Sequence, residues 1–482
     1  MYLNYYRSIY RGISCIVISD IRRTVMRIKY FTLSIFLIVS IFSQSPEEAV
    51  DFFYNQEGIG SKSQAMGNAF TAVADDYTAI YWNPAGLTQL NSSEIHGDLY
   101  HLQFANEATF KGNTILEDRN FTKFKSLGFA YKFPTTQGNL VLAFGYNRIK
   151  DYDNFLYFSG FNRESNNLEI PVTNQYYDVD YYLFDNNVLQ TEEVSQEGNL
   201  GAWSVGGGMM LSPNFSIGLT LHFYSGSQRY LFDFYQDDID NYYYLFPDDC
   251  DSYEYHQKII ADFNGWGATI GGLFHLNKSL KLGVAIDFPS SLNVFETYSE
   301  SGILNFDNGD YGDEANLGSG EWEYDVDYPF KFSAGIAFDL QQLTLAGSFE
   351  YRDWTQTKFD VPAGYGLYDD FDDLLEENKD FADLFRETYN YQVGGEYRIK
   401  GSNLKVRGGY RFVPSPFSGA DKKLNRQYFS TGFGYDIDQN STLNLSYTKG
   451  YWTKYSIDGF TPGVTKESIQ TDRIVAGINF RL

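Results

Sequence analysis

The residues of this chain that could do nucleophilic or acid–base chemistry are two small groups around histidine. His222 stands three positions before Ser225. His96 and His101 lie on either side of Asp98. A hydrolase needs a nucleophile, a base and a third orienting group within hydrogen-bond reach, and side chains that alternate across a strand do not guarantee such contact. No third group is evident beside either pair, so we predict no catalytic residue and no enzyme, with a barrel hydrolase as the alternative.

Acidic clusters are the second feature with chemical potential. Asp237, Asp238 and Asp240 stand together, and Asp248 and Asp249 follow a few positions later. Calcium prefers clustered carboxylates, but the D-x-D-x-D-G spacing of a calcium loop does not occur. We therefore predict charged, solvated loops, no metal site and no cofactor. Calcium binding by these loops is the open alternative.

The beginning of the chain has the pattern of a targeting sequence. Basic residues precede the apolar run 30–42, which has the length of a signal-peptide core and is too short to cross a bilayer as a helix. The small residue Ser43 follows this run. We predict a signal peptide over residues 1–43, with Met26 as an alternative start. A membrane anchor formed by residues 1–42 is the other interpretation.

Charge and cysteine content restrict the class of partner. The formal net charge is -25 over 482 residues, and removal of the basic leader makes the mature chain more acidic still. So acidic a chain, without basic patches that alternate with aromatic residues, is not expected to bind nucleic acid. Only Cys15 and Cys250 occur, and Cys15 lies in the leader. This excludes an internal disulfide and a cysteine metal site in the mature chain.

Alternation at the C-terminus marks the clearest strand. Ile474, Ile478 and Phe480 fall on one face, and Arg473 and Asn479 fall on the other. In a membrane barrel the apolar face meets lipid and the polar face meets the lumen. The 41 Tyr, 41 Phe and 44 Gly residues suit such a barrel, because its aromatic residues form girdles at the membrane interfaces. From composition alone, a secreted β-sandwich or propeller is the alternative.

The same alternation gives fourteen strand candidates of about ten residues each. They lie at 93–105, 122–133, 138–150, 199–211, 214–229, 257–276, 280–298, 328–340, 342–358, 388–399, 403–413, 427–437, 441–457 and 470–482. Short turns join them at one end. Long segments at the other end, which we assign to the cell exterior, are 151–198, 230–256, 299–327, 359–387, 414–426 and 458–469. We predict an all-β, membrane-spanning antiparallel barrel over residues 92–482.

The segment ahead of the strands has a different period. Met66, Ala69, Phe70 and Val73 recur at helical spacing. A fourteen-strand barrel is wide enough to need something in its lumen, because its width lies between a barrel filled by side chains and an open channel. We therefore predict that residues 44–91 fold back as a small, partly helical plug.

One tetrapeptide of this segment has the chemistry of a helix start. Asn83 is placed to cap a turn whose first residue is Pro84, which has a preset backbone angle and no N–H to lose. Ala85 follows, and Gly86 is placed to end the turn with a positive φ. We expect substitutions of Asn83 or Pro84 to loosen the plug more than the barrel.

The stretch SQAMGNAFTAVADDYTAIYWNPAGL, residues 63–87, resembles the FadL-type outer-membrane transporters of long-chain fatty acids and other hydrophobic compounds. A-M-G-x-A-F, A-D-D and Y-W-N-P-A-G-L stand intact in it, and as a set they are specific. The resemblance implies a fourteen-strand barrel, an N-terminal hatch that contains Asn83, Pro84, Ala85 and Gly86, and passive movement of an apolar ligand. It also implies a kinked third strand that opens the wall toward lipid. By our count this is strand 138–150, with Gly145 as the candidate kink.

These observations predict passive, gradient-driven uptake of long-chain fatty acids or other hydrophobic small molecules across the bacterial outer membrane. The ligand is expected to pass a pocket against Phe70, Val73, Ile80, Tyr81 and Trp82; the alternative is that these five side chains form only the core of the hatch. The expected partners are the ligand, the lipid bilayer and outer-leaflet glycolipid, and the barrel is expected to be a monomer. The alternative function is a scaffold or shuttle of a protein-secretion system with the same barrel.

Overall fold

A computed structural model describes residues 45–174, 176–315, 317–362, 364 and 371–482. The predicted signal peptide, residues 1–43, and the alternative start at Met26 lie outside the described residues. No helix among the described residues has both the length and the apolar character needed to cross a bilayer.

Twenty-one β-strands make up most of the described chain. They are β1 Glu94–Phe110, β2 Asn113–Lys132, β3 Leu140–Asp151, β4 Asn154–Asn162, β5 Glu169–Thr173, β6 Val179–Leu183, β7 Val188–Ser212, β8 Phe215–Asp237, β9 Cys250–Asn277, β10 Leu280–Asp287, β11 Ser290–Phe306, β12 Tyr311–Asp313, β13 Ser319–Tyr328, β14 Lys331–Leu340, β15 Leu343–Asp353, β16 Lys358–Asp360, β17 Glu387–Arg398, β18 Leu404–Val413, β19 Arg426–Asp436, β20 Ser441–Ser456 and β21 Thr465–Arg481.

Nineteen of these strands belong to one sheet, which closes into a barrel with antiparallel neighbours, and β5 and β6 form a separate hairpin. We call each segment that crosses the barrel wall once a stave. Four staves are each built from two strands, namely β3 with β4, β10 with β11, β13 with β14, and β15 with β16. The barrel therefore has fourteen staves. Closure joins the two ends of the sheet, because β1 pairs with β21 from Glu94 opposite Arg481 to Thr109 opposite Lys466. The predicted fourteen-strand antiparallel barrel is confirmed.

Alternation along the strands separates an apolar outer face from a polar inner one. On β21, Ile474, Ile478 and Phe480 are each at least 40% exposed on the outer face, and Asn479 is buried on the inner face. On β18, Arg407 points inward and is 5% exposed, where its Nε donates to Glu396 Oε2 at 2.8 Å. Arg407 is therefore paired with a carboxylate inside the barrel rather than buried in an apolar core.

Several strands are longer than the sequence pattern predicted. The predicted loop 151–198 contains β4, β5, β6 and the first part of β7, and β2 begins at Asn113 rather than near residue 122. The connection between β1 and β2 is a tight turn at Lys111 and Gly112, which both have positive φ. These segments are rich in aromatic and β-branched residues that favour extended backbone. Their acidic residues made the alternation of apolar and polar residues hard to recognise in the sequence.

Regular strand structure is interrupted at two prolines. The expected strand 280–298 breaks into β10 and β11 around Pro289. The expected strand 328–340 corresponds to β14, and β13 precedes it across Pro329, in what was predicted as the loop 299–327. Proline has no N–H for the ladder, so it ends regular pairing. The two breaks lie side by side, because β10 pairs with β14 and β11 pairs with β13.

Short helices occupy the rest of the described chain. The α-helices are α1 Pro46–Asp51, α2 Ser61–Ala65, α3 Ala79–Trp82, α4 Asp372–Glu376 and α5 Asp380–Leu384. Turns of 3₁₀-helix cover Pro84–Gln89, Trp354–Gln356, Glu377–Lys379 and Lys422–Leu424. We call residues 45–91, which hold α1 to α3, the N-terminal segment.

Candidate functional site

The N-terminal segment lies inside the barrel and touches strands on opposite sides of the lumen. Its residues are almost all buried from Ile59 to Thr88. Thr88 Oγ1 donates to Ser216 Oγ on β8 at 2.9 Å. Within the segment itself, Asn68 Nδ2 donates to Glu57 O at 2.9 Å. Gly67 approaches the backbone of β18 at Tyr410. The segment thus crosses the whole width of the lumen.

Asn83 is the polar centre of this segment. It is fully buried, and its Nδ2 donates to Thr71 O at 2.9 Å and to Gly272 O of β9 at 3.1 Å. Its Oδ1 accepts from Ala85 N at 3.2 Å, as a cap on the 3₁₀-helix that begins at Pro84. The predicted cap is confirmed, and the same side chain also bonds the segment to the wall.

The expectation for Gly86 was wrong. The 3₁₀-helix continues from Pro84 to Gln89, and Gly86 lies inside it without a positive φ. Its requirement is space, because a Cβ at this position would stand 2.2 Å from Ala74 O. The turn could continue past Gly86 because Leu87 and Thr88 are buried against the wall and hold the backbone there.

Replacement of Asn83 by alanine is expected to weaken the attachment of the N-terminal segment by about 2–4 kcal/mol, because two buried carbonyls and one N–H lose their partner. Hydrogen exchange of the amides between residues 60 and 90 should speed up accordingly, whereas strand amides keep their protection. The exposed Asn91, replaced by alanine, is the control. Unchanged exchange in the Asn83→Ala variant would contradict the role given to this side chain.

The wall meets the N-terminal segment through glycines. A Cβ at Gly271 would stand 2.1 Å from Asn83 Oδ1, so no side chain fits there. The pairs of wall glycine and segment residue are Gly128 and Gly145 with Tyr77, Gly208 and Gly218 with Pro84, Gly271 with Asn83, Gly283 with Thr71, and Gly394 and Gly409 with Met66 and Gly67. We call these eight positions the glycine belt. Sequence reasoning missed it, although glycine doublets in the strands were a visible signal.

The histidines flagged by the sequence have structural partners in the wall. His222 is buried and contacts Ser204 Oγ at 2.8 Å and Thr269 Oγ1 at 3.1 Å. Ser225 is exposed on the other face of β8, so the pair proposed for a hydrolase does not meet. His96 is buried against Asp98 at 3.0 Å, with the ring of Tyr77 stacked on it.

The five side chains predicted to contact a ligand lie together at the centre of the N-terminal segment. Phe70, Val73, Ile80 and Trp82 are at most 7% exposed, and the rings of Phe70 and Trp82 are 6.4 Å apart. Tyr81 packs on Trp82 at 4.9 Å and donates to Gln56 Oε1 at 3.1 Å. Their contact with a ligand stays a prediction, since in this structure they contact one another and the wall.

A cavity of about 1300 Å³ lies between the N-terminal segment and the wall. Its sides come from β1, β7, β8, β9 and β19 to β21, and its other boundary comes from α1 and from the segments 415–421 and 453–458. Apolar side chains dominate its lining, including Leu102, Phe104, Leu156, Val194, Tyr230, Phe232, Ile259, Trp452 and Ile469. The described lining includes none of the five predicted ligand contacts.

Two guanidinium groups face this cavity without a carboxylate partner at salt-bridge distance among the described residues. Arg426 lies over the rings of Trp452 at 4.7 Å and Tyr54 at 5.0 Å. Arg411 is 7% exposed, donates to Gln56 O at 2.8 Å and lies over Tyr428. The other cations nearby are neutralised; for example Lys150 is 3.2 Å from Asp51. The same lining also contains acids, including Asp51, and these two guanidinium groups are its described cations without a carboxylate at salt-bridge distance.

The carboxyl of Glu48 on α1 is in an unfavourable place for a charge. Burial, followed by the neighbouring carboxylates of Glu296 and Asp51, raises its pKa to about 8. A carboxyl whose pKa is raised in the bound segment binds a proton more tightly there than when the segment is free. The attachment of α1 is therefore favoured by acid and weakened by base.

The contribution of Glu48 to the attachment of the N-terminal segment is expected to be complete below about pH 4.5 and to be lost as the pH rises through about 8. Limited proteolysis of the purified barrel at pH 5 and pH 9 should cut the segment faster at pH 9. The Glu48→Gln variant should lose this difference. If the variant keeps the full pH dependence, another group is responsible.

The wall has a seam between β2 and the stave formed by β3 and β4. Backbone pairing of β2 with β3 runs only from Lys132 opposite Val141 to Ser126 opposite Asn147, and no described residue of β2 pairs with β4. Pairing with β7 becomes irregular between Arg148 and Lys150. Pairing is regular through Gly145 on both sides.

Charged side chains cross this seam. Lys123 Nζ is 2.5 Å from Asp153 Oδ1, and Arg119 reaches Glu193 on β7 at 2.8 Å. The seam is therefore held by side chains where the ladder of backbone bonds is interrupted.

Among the described residues, no group of three or more His, Cys, Asp or Glu side chains is arranged to hold a metal ion.

Residues 198–468 match the sequence profile of a family described as Outer membrane protein transport protein (OMPP1/FadL/TodX). Comparison with curated protein sequences gives no match.

Solved structures share the fold. The P. putida toluene transporter TodX has a TM-score of 0.55 and 13% identity, with 89% of this chain and 99% of that chain covered. A Pseudomonas aeruginosa FadL homologue has a TM-score of 0.55 and 10% identity over 88% of this chain and 98% of that one. The Ralstonia pickettii toluene transporter TbuX has a TM-score of 0.52 and 14% identity over 89% and 99%.

Proposed function

Because the chain belongs to the FadL and TodX family of outer-membrane transport proteins, we propose that it takes up long-chain fatty acids or other hydrophobic small molecules down their concentration gradient. It is a multi-pass β-barrel of the outer membrane, in a family of channels for hydrophobic compounds rather than enzymes. In this proposal the ligand binds in the 1300 Å³ cavity, and the N-terminal segment is a hatch that moves to release it.

The largely apolar surface of the cavity is the observation that carries the proposal. Each CH₂ group gains about 0.8 kcal/mol when it leaves water for an apolar site. A wide aqueous pore would give a hydrophobic molecule no such gain, whereas Leu102, Phe104, Phe232 and Trp452 offer an apolar surface at one level. The cavity ends at α1 and at the N-terminal segment, so passage requires a movement of that segment.

Cavity size and charge bear on the identity of the ligand. Pockets for drug-sized ligands measure about 300–1,000 Å³, so this cavity has room for a long chain. Toluene transporters of the same fold show that the architecture also serves small aromatic compounds. Arg411 and Arg426 favour a ligand with a carboxylate, because a guanidinium binds a carboxylate through two hydrogen bonds.

The seam in the wall supports a sideways route of release. Breaking side-chain contacts such as Lys123 with Asp153 disturbs no backbone ladder, so this part of the wall can open while the strand pairing is kept. In this proposal the kink lies on β3, for which Gly145 was the sequence candidate. No nucleotide or ion-coupling site is part of the proposal.

Lipid surrounds the barrel in this proposal. The closed sheet leaves no strand edge for a partner, which supports a monomer. Exposed outer side chains such as Phe429 and Phe433 face the acyl chains, and outer-leaflet glycolipid surrounds the upper rim.

Uptake by living cells tests the proposal. Cells that lack the protein and cells that produce it are given radiolabelled oleate or an alkylbenzene, and internal label is followed over minutes. Faster uptake of at least one compound in producing cells supports the proposal. Equal uptake of both compounds in both strains would refute it.

A further inference from the structure

Three extracellular segments fold into a single unit that we call the tip, with described residues 164–174, 176–187, 237–251, 299–315 and 317–318. The rings of Phe184 and Tyr243, from the first and second segments, are 5.0 Å apart. Tyr182 and Phe306, from the first and third, are also 5.0 Å apart. Asp307 N donates to Asp249 O at 2.9 Å and joins the third segment to the second. The tip is therefore one surface rather than three separate loops.

A core of its own supports the tip from below. Phe184, Phe234, Cys250 and Leu304 are completely buried there, with Ile170 at 1% exposure. The hairpin of β5 and β6 lies on this core, and a bridge from Val172 to Glu314 ties it to the third segment. The side chains that the tip presents to solvent are thus held on an ordered base.

Large apolar side chains project from this base into solvent. Tyr177 is 91% exposed and Phe246 is 81% exposed, and Tyr176, Tyr244, Leu245 and Tyr311 are each exposed by at least 62%. Isolated exposed apolar residues are ordinary, but five aromatic side chains and one leucine exposed on one folded unit mark a contact region. Tyr and Phe are also enriched in the centre of protein interfaces.

Charge on the tip has one sign. The three segments contain sixteen Asp and Glu residues and no Lys or Arg. One of these acids, Glu164, pairs with Lys111 outside the tip at 2.6 Å, and exposed acids such as Asp178, Asp240 and Asp310 surround the aromatic side chains. A surface of this kind attracts cations over a distance of about 8 Å at physiological salt.

The tip is separate from the cavity of the proposed function. Among the described lining residues of that cavity, none belongs to the tip. Its lining comes instead from other segments, including 415–421 and 453–458. The exposed carboxylates of the tip repel an anionic lipid headgroup and attract a cationic partner.

We propose that the tip is a docking surface for a cationic polypeptide. Its acids pair with Lys and Arg of the partner, and the faces of Tyr176, Tyr177 and Tyr244 receive guanidinium groups through cation–π contacts. Leu245 and Phe246 supply the apolar centre. Charge attracts the partner, and the aromatic side chains select for arginine and aromatic residues in it.

Binding of two synthetic peptides to the full protein in nanodiscs tests this proposal. One peptide alternates Arg and Trp, and the other has the same length and charge but alternates Lys and Ser. We expect the Arg and Trp peptide to bind about tenfold more tightly by fluorescence anisotropy at 150 mM salt, because only it can use the aromatic surface. Equal affinities would mean adsorption by charge alone and would overturn the proposal.

Matched variants locate the binding surface. The aromatic variant combines Tyr244→Ser, Leu245→Ser and Phe246→Ser, all exposed and without change of charge. It should weaken the Arg and Trp peptide about tenfold and leave the Lys and Ser peptide unchanged.

Charge variants complete the test. Three exposed acids of the tip become amides in Asp178→Asn, Asp180→Asn and Asp248→Asn, and three exposed acids near α4 do so in the control, Asp372→Asn, Asp373→Asn and Glu376→Gln. The tip variant should lose affinity for both peptides and the control should not. Equal losses would overturn the proposal. Oleate uptake should be normal in every tip variant, so this result is independent of the proposed transport function.

Discussion

Replacement of Gly271 by leucine is expected to displace the N-terminal segment and to open an ion-conducting path through the barrel. Even a Cβ at this position would stand 2.1 Å from Asn83 Oδ1 and 2.9 Å from Pro84 Cδ. The rest of the leucine side chain has no free volume, because Asn83 is fully buried and bonded to Gly272 O beside it. The clash falls on the one residue that both caps the 3₁₀-helix and holds it to the wall.

The expected size of the effect follows from ordinary overpacking. Extra methylene groups in a packed core cost about 1–3 kcal/mol, and more when backbone has to move. A cost of about 3 kcal/mol changes the ratio of closed to open segment about a hundredfold. A barrel of fourteen staves without its plug leaves a water-filled lumen.

Conductance and permeability report the open lumen directly. Purified Gly271→Leu protein in planar bilayers should show open-pore current where the unaltered protein shows little, and cells should become sensitive to antibiotics that are normally too large to enter. Gly347→Leu is the control, because a Cβ there meets nothing closer than 3.8 Å. A Gly271→Leu barrel that stays electrically closed would show that the N-terminal segment can shift without opening the lumen.

Replacement of Arg426 by glutamine is expected to reduce uptake of oleate about tenfold and to leave uptake of an alkylbenzene unchanged. A hydrogen bond to a charged group contributes about 1.5–3 kcal/mol, and Arg426 is the guanidinium that lies on Trp452 without a carboxylate partner among the described residues. The neutral hydrocarbon gains nothing from that charge. The change should therefore appear as a difference between two ligands in one strain.

Competition between labelled oleate and unlabelled alkylbenzene in the same cells measures this difference. Lys422→Gln removes the same charge from a residue that does not line the cavity and should alter neither uptake. A similar loss for both ligands in the Arg426→Gln variant would assign Arg426 a packing role between Tyr54 and Trp452. It would also leave the carboxylate preference without support.

Local patterns in the sequence predicted the parts of the fold that depend on neighbours along the chain. The outward face of β21 follows from alternation over ten residues, and the cap at Asn83 follows from Pro84 directly after it. Gly86 was misjudged because the end of the turn depends on a distant wall that holds Leu87 and Thr88 in place. The same limit applies to His222, whose partner Ser204 stands on the next strand rather than beside it in sequence.

The candidate site was harder to predict because it depends on the register in which the strands of the barrel pair. The glycine belt becomes visible only when the level and face of each glycine are known, and these depend on pairings across the whole barrel. The cavity has the same origin, since Leu102 and Trp452 line it from strands far apart in sequence. The sequence predicted a plug over residues 44–91 with the ligand against its core, whereas the open space in the structure lies beside the N-terminal segment.

Barrel closure has a consequence for the order of events during folding. The last hydrogen bonds of the ring join Glu94 of β1 to Arg481 of β21, almost the full length of the described chain apart. Such distant ends meet late, because the entropy cost of closing a loop grows with its length and nonlocal pairing is slow. Glycines from several staves contact the N-terminal segment and leave no space for a Cβ. We therefore expect that the segment does not enter a barrel that has already closed. The wall is therefore expected to assemble around this segment. In that order of folding, the segment serves as a template for the barrel.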